Sequence, residues 1–447
     1  MMRNTRAYER TNIRAYVGMR GIAMLLALAA AACAMTLGEA QKKMLENNTD
    51  LIVQRRQTDI AQEQVAEAKA ALFPQINAVA SYAYQSDVAA IQVPAIPPVF
   101  RGISMEGAHD KIDMGVEASY PIFTGATRWY SIKSREMARE SQESQEQALR
   151  QRLSYQLGML SCAWKLADQR VAVTQALADQ LTEYAAQTQN RYGAGVATAA
   201  RVTEAQARFS QAQADLAGAR TTVDSLRLEI AYLVGSPDVN LAPESCAIPA
   251  DSTALVKAMA MTPGETRPEL AAFDRSIDQQ ALLRKAAGGR YLPAVSGMAG
   301  YHYGKPGVNF LGNEFMDYWL AGVQLQWNLF DGRKTGAQRR QIDGAMAALA
   351  AQKQKQADAF AKGIEMAKSR LIWARQQRVA AVAALAASDA LVQDLKNQVA
   401  AGTATSLEYI TAMTNRAQTQ FMINQADFAL SAAYLTLLYS AGATIEF

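Results

Sequence analysis

The chain has 447 residues, half of them hydrophobic and 19% charged, and a formal net charge of +4. The excess is local: Arg3, Arg6, Arg10, Arg14 and Arg20 stand against a single Glu9, and residues 35–447 hold equal numbers of acidic and basic groups, which leaves a nucleic-acid partner without electrostatic support. With two histidines and three cysteines, the chain also lacks the convergent groups of a catalytic or metal centre, so an enzyme and a cofactor are not expected.

In chain order, residues 1–34 read as a secretory signal peptide, because the arginines precede an apolar run of about a dozen residues, Gly21 to Ala32, which is shorter than the roughly 20 that a spanning helix needs. Cys33 ends a lipoprotein-like Ala30-Ala-Ala-Cys33, but the Leu usual at the first position is missing. Ala32-Cys-Ala34 offers an A-x-A site, and cleavage after Ala34 is the preferred reading. Thr36-Leu-Gly-Glu39 has the spacing of a capping box, and a second helix start lies at Asn47-Asn-Thr-Asp50. Helix-forming sequence then runs to Phe73, where Pro74 ends it and opens a strand.

From Gln75 to Gln85, Ile76, Ala78, Ala80, Tyr82 and Tyr84 alternate with mostly polar neighbours. Residues 86–112, with Pro94, Pro97 and Pro98, read as a long loop. Asp113 to Ile122 repeats the alternation: Met114, Val116, Ala118, Tyr120 and Ile122 oppose Asp113, Gly115, Glu117 and Ser119, so the polar side carries two carboxylates and must be wet. Residues 126 to about 191 contain no proline and form one helix, which at 1.5 Å per residue spans about 100 Å. A turn at 192–197 and a helix at 198–233 complete a first repeat over 35–240. Residues 241–266, rich in proline, form an irregular connector.

The second repeat covers 267–447, with a hairpin at 293–330, a helix at about 333–400, a turn at 401–405 and a C-terminal helix. Its first strand, Ala294 to Tyr303, alternates weakly, with His302 on the polar side. The second, Tyr318 to Phe330, alternates strongly, with Trp319, Ala321, Val323, Leu325, Trp327 and Leu329 on one face and aromatic residues at both ends. The duplication is read from matched signals: Leu72-Phe-Pro74 with Tyr291-Leu-Pro293, Pro121-Ile-Phe-Thr-Gly125 with Asn328-Leu-Phe-Asp-Gly332, and intervals of 70 residues from Gly125 to Gly195 and from Gly332 to Gly402. Gly332-Arg-Lys-Thr335 lacks the upstream glycine of a phosphate loop and reads as a strand-to-helix turn. Four amphipathic strands cannot close a barrel in lipid, so the chain must oligomerise, and three copies give 12 strands, all antiparallel.

These features resemble the TolC-like family of outer-membrane efflux and secretion channels, the match covering essentially all of 35–447. The resemblance implies a mixed α and β membrane protein of a Gram-negative bacterium: a trimer whose 12-stranded β-barrel in the outer membrane continues into a long periplasmic α-helical barrel. It implies a periplasmic adaptor and an inner-membrane transporter as partners, and the role of a passive exit duct in tripartite efflux or type I secretion. The competing reading is a periplasmic coiled-coil scaffold or adaptor without a pore. Tyr82, Tyr84, Tyr120, Trp319 and Trp327 are expected at the membrane interfaces. Matched from Gly402, the family's acidic rings fall on Glu408 and Thr411, so one ring survives, and a polar linkage of the closed end is altered at Arg201 and Ala404. Gly195 and Gly402 then mark the periplasmic gate. Cys162, about halfway along the long helix, and Cys246, in the connector, form either a disulfide or two free thiols.

Overall fold

The computed structural model describes residues 35–447 except 96, 238, 240, 242–256, 258, 263–266 and 310–312. The signal segment, Cys33, Cys246 and most of the connector therefore lie outside the described residues. In chain order the elements are α1 (Leu37–Asn47), α2 (Thr49–Ala70), β1 (Gln75–Tyr84), β2 (Ala90–Val93), β3 (Ile103–Glu106), β4 (Asp110–Phe123), α3 (Thr127–Gly193), α4 (Ala199–Val234), α5 (Pro268–Gly288), β5 (Ala294–Lys305), β6 (Met316–Gln326), α6 (Lys334–Ala400) and α7 (Ser406–Ala441). Contacts divide the chain into two units. One comprises the chain up to Arg55 with Gln145–Leu270 and Lys355–Phe447, the other Arg56–Ser144 with Ala271–Gln354.

The first unit is helical. Thr36 caps α1 as its sequence predicts: its hydroxyl accepts from the Glu39 amide at 3.2 Å, and Glu39 accepts from the Thr36 amide at 2.9 Å. Asn48 separates α1 from α2 because its side chain is used twice, accepting from the Leu51 amide at 3.2 Å and donating to the Leu233 carbonyl at 2.7 Å. Leu37, Ala40, Met44 and Leu51 are buried against Leu153, Leu157 and Trp164 of α3 and Ile230 and Val234 of α4. Smaller clusters pair α6 with α7, through Ile364, Ala367 and Leu437, and join Ala178, Leu181, Ala212 and Leu216 to Ile410.

Arg267, just before α5, is 1% exposed. It donates to the carbonyls of Tyr439 and Ser440, both at 2.6 Å, at the point where α7 runs out of its own donors. It also pairs with Glu269 at 2.9 Å and lies over the Phe360 ring at 3.3 Å from the centroid. The end of α7 is completed by Gly442 at φ 81°, where a Cβ would meet Arg267 Cγ at 2.8 Å.

The second unit holds the sheet. Its strand order is β1-β4-β5-β6, every neighbouring pair antiparallel, with one register shift between Pro121 and Phe123 of β4. The long loop expected at 86–112 is not structureless: β2 and β3 pair within it, Ile91 opposite Met105 and Val93 opposite Ile103, and β4 begins at Asp110. The final strand stops before Trp327, rather than running to Phe330, because its last pair is Ala294 with Gln326 and the next residue of the partner is Pro293, which has no N–H to donate. At the strand-to-helix junctions Gly125 and Ala126 have φ of 62° and 63°, and Gly332 and Arg333 have φ of 64° and 67°. A Cβ at Gly125 would run into the Gly289 carbonyl.

Candidate functional site

The register sorts the sheet into two chemically distinct faces. On one face, Ala78, Val116, Tyr301 and Trp319 lie in a row across the four strands, flanked by the row Ile76, Ala118, Ala299 and Ala321. Of the predicted interface aromatics, Tyr82, Tyr84 and Trp319 share the end nearer the loops, where Tyr301 and Tyr303 join them. Tyr82 donates to Asp110 at 2.7 Å and Tyr301 to Asp317 at 3.0 Å, so each phenol has a polar partner while its ring stays exposed. Tyr120 lies toward the opposite end, opposite Gly297. Trp327 lies just past β6, and its indole N–H donates to the Tyr291 carbonyl at 3.1 Å.

The other face is polar and built around a group that sequence reasoning set aside. His302, 4% exposed, is opposite Gly115 on β4 and Tyr318 on β6. Its Nδ1 is 2.9 Å from Asp113 Oδ2, the Tyr318 hydroxyl donates to Asp113 Oδ1 at 3.0 Å, and the imidazole and phenol rings stack with centroids 5.2 Å apart. Glu117 Oε1 is 3.8 Å from Nε2. Asp113 and Glu117 are where their alternation puts them. The histidine reaches them only through a pairing across 189 residues of sequence.

At the far ends of α3 and α6 are two turns of one design. Gly195 (φ 76°) donates to the Tyr192 carbonyl at 2.9 Å, and Val196 to Arg191 at 2.9 Å; Gly402 (φ 77°) donates to Val399 at 3.2 Å, and Thr403 to Gln398 at 2.9 Å. Both are Schellman closures, which place a residue in the left-handed region and so favour glycine. The following helices start differently. Thr405 caps α7, with Glu408 accepting from the Thr405 amide at 2.8 Å and hydroxyl at 2.9 Å, whereas Thr198 makes no side-chain cap at α4. The residue that would return the bond there is Arg201, a cation with nothing to accept and with a charge that opposes the helix dipole. The backbone N–H of Thr405, and then its hydroxyl, hold the Glu408 carboxyl below the usual carboxylate range. Glu408 and Thr411 are exposed, and Thr411 donates to the Leu407 carbonyl at 2.9 Å. Glu408 thus has a local capping role that its reading as a gate residue omits, although Thr405-x-x-Glu408 is visible in the sequence.

Cys162 is buried beside Leu435 and Ile445 and is disulfide-bonded. Its expected partner Cys246 lies outside the described residues. Among the described residues no helix is long and apolar enough to cross a membrane.

The family model described as outer membrane efflux protein matches residues 41–236 and 265–443. The chain is 24% identical over 333 residues to the outer membrane protein TolC of Vibrio cholerae serotype O1, covering 73% of this chain and 72% of that one. Its fold is similar to the outer membrane channel CmeC of Campylobacter jejuni (TM-score 0.75, 16% identity, covering 92% of this chain and 86% of that one). It is also similar to the open state of the MtrE outer membrane channel of Neisseria gonorrhoeae (TM-score 0.71, 16% identity, covering 92% and 89%). Matched over most of its length, with a sheet that is apolar on one face and charged on the other, the chain belongs to the outer membrane efflux protein family.

Proposed function

We propose that three copies of this chain close a 12-stranded barrel in the outer membrane and act as the passive exit duct of a tripartite efflux or type I secretion system. The observation that carries this reading is the four-stranded sheet with an exposed apolar face and two free edges. Unpaired edges are untenable in hydrocarbon. Three successive antiparallel pairings leave β1 and β6 running in opposite directions, so β6 of one copy meets β1 of the next antiparallel and the ring closes without an edge. Two copies would make only an eight-stranded barrel, which its own side chains fill.

An internal duplication underlies the chain on this reading. Two helices of 67 residues are each followed by one of 36, with the same glycine closure between them. Residues 1–34 serve as the signal peptide, a periplasmic adaptor and an inner-membrane transporter as partners, and the turns around Gly195, Arg201, Gly402, Ala404, Glu408 and Thr411 as the periplasmic gate. The duct conducts and does no chemistry. A coiled-coil scaffold without a pore would have no use for four strands with an apolar face and aromatic ends. Light scattering of the detergent-solubilised protein, together with planar-bilayer recording, tests the proposal: a trimer with single-channel conductance is expected, and a non-conducting monomer would refute it.

A further inference from the structure

Where the strands pass into the helices, each of the four junctions joins exposed apolar side chains to a cation. β1 is entered through Leu72-Phe73, just past Lys69, and β4 is left through Phe123, just before Arg128. β5 is entered through Arg290-Tyr291-Leu292, and β6 is left through Leu329-Phe330 ahead of Arg333-Lys334, with Phe330 85% exposed. Residues 69–74, 121–140, 284–294 and 327–343, all in the second unit, hold 12 Lys and Arg against four Asp and Glu, although residues 35–447 as a whole balance.

The four carboxylates are already engaged: Glu136 with Lys69 and Lys133, Glu140 with Arg275, Asp343 with Arg284, and Asp331 with the Thr335 amide. Arg333, Lys334 and Arg340 are exposed and make no ion pair among the described residues. Arg128 and Lys334 also stand in the first turns of α3 and α6, which carry no acidic residue, where a positive charge opposes the helix dipole. An anion from outside the chain would balance these charges.

The neighbours of the cations say what kind of anion. The Arg128 guanidinium lies over the Tyr120 ring, 5.7 Å from its centroid, which puts it on the apolar side of the sheet, and Lys133 lies over the exposed Trp129 at 5.3 Å. Cations among exposed aromatic rings at the end of an apolar face match a molecule that carries both a phosphate and hydrocarbon chains. Among the described residues no helix is apolar enough to cross a membrane, so hydrocarbon ends at this level. A second copy would not cover the junctions, because barrel closure engages the edges β1 and β6, while β4 and β5 carry the same pairing of groups.

We propose that the junctions form a collar that binds anionic phospholipid in the leaflet facing the helices, with phosphates on Arg128, Arg333, Lys334 and Arg340 and the chains against the apolar face. This rests on the duct reading, which puts the sheet in a membrane.

Full-length protein reconstituted in phosphatidylcholine vesicles reports its lipid neighbours through tryptophan emission, because Trp129 and Trp327 lie at the junctions and bromine on the lipid chains quenches on contact. Brominated phosphatidylglycerol should be preferred to brominated phosphatidylcholine by at least about five-fold, the factor that one cation near an anionic surface contributes. High salt should weaken that preference. Arg333→Gln, Lys334→Gln and Arg340→Gln together should abolish it, whereas Arg333→Lys with Arg340→Lys, which keeps the charges, should retain it. The collar is overturned by equal quenching from the two lipids in the wild type, by a preference that the triple Gln variant keeps, or by one that inorganic phosphate in the medium abolishes. Planar-bilayer conductance of the same preparation separates the two readings: a conducting channel with no lipid preference sinks the collar alone, and a lipid preference without conductance sinks the duct alone.

Discussion

Replacing Arg267 by Met tests how the end of α7 is held. The substitution keeps most of the apolar stem but removes the Nη1 that donates to both the Tyr439 and Ser440 carbonyls, the partner of Glu269 and the cation over Phe360. A buried polar group left unsatisfied costs about 1–3 kcal/mol, and breaking a buried ion pair from one side about 3–5 kcal/mol. These losses share one guanidinium and do not add, so we expect a net loss of about 3–5 kcal/mol. Arg267→Lys should fall between the two, because an ammonium can replace the one nitrogen that serves both carbonyls but not the Nε and Nη2 pair that holds Glu269 at the same time. The assay is urea unfolding followed by helical circular dichroism, at fixed protein and detergent concentrations because assembly shifts apparent stability. A loss below about 1 kcal/mol in Arg267→Met would refute the reasoning, and so would a Lys variant no better than the Met variant.

At the turns, Glu408→Gln should retain the cap, since Gln also serves at the third position of a capping box, while lowering cation selectivity in planar bilayers. An unchanged reversal potential would remove Glu408 from the gate. The same carboxylate sets a pH dependence: its folded value is depressed, so its contribution is complete above the unfolded carboxylate range and is lost as the pH falls through the folded value. Protection of the Thr405 amide from exchange, corrected for intrinsic rate, should therefore decline in acid in the wild type and not in Glu408→Gln. Gly195→Ala and Gly402→Ala should each cost about 1–2 kcal/mol from backbone strain alone, because nothing lies within 4 Å of either new Cβ. Gly125→Ala adds the collision with the Gly289 carbonyl and should abolish assembly, as read by detergent gel filtration. A peptide map without reductant should join the Cys162 peptide to that of Cys246, and recovery of Cys246 as a free thiol would refute the pairing.

What the sequence reveals here follows from how local each cause is. Alternation assigns both faces of the sheet correctly, because strand parity needs no knowledge of the partner strand. The glycine closures are equally local, and proline-free stretches predict the long helices to within about two residues at their ends. Strand ends are less local: Trp327 continues the alternation, but the ladder ends on Pro293 of the neighbouring strand. The β2–β3 ribbon is missed because four prolines and glycines within residues 94–102 outweigh two four-residue alternations. His302 and Arg267 mark the limit, since each gains its meaning from groups 170 or more residues away. A lone histidine in a weak strand and an arginine near a connector carry no signal of that in their own neighbourhoods.

The glycines around His302 have a mechanical consequence for the polar face of the sheet. A side chain as large as an imidazole normally stands up from the strand that carries it. Here the imidazole and its aspartate occupy the space that side chains at Gly115, Gly300 and Gly304 would fill, with the ring stacked on Tyr318. The polar face therefore stays low where His302 lies, and a larger residue at Gly115 or Gly300 would have to lift the ring away from the strands and off its tyrosine.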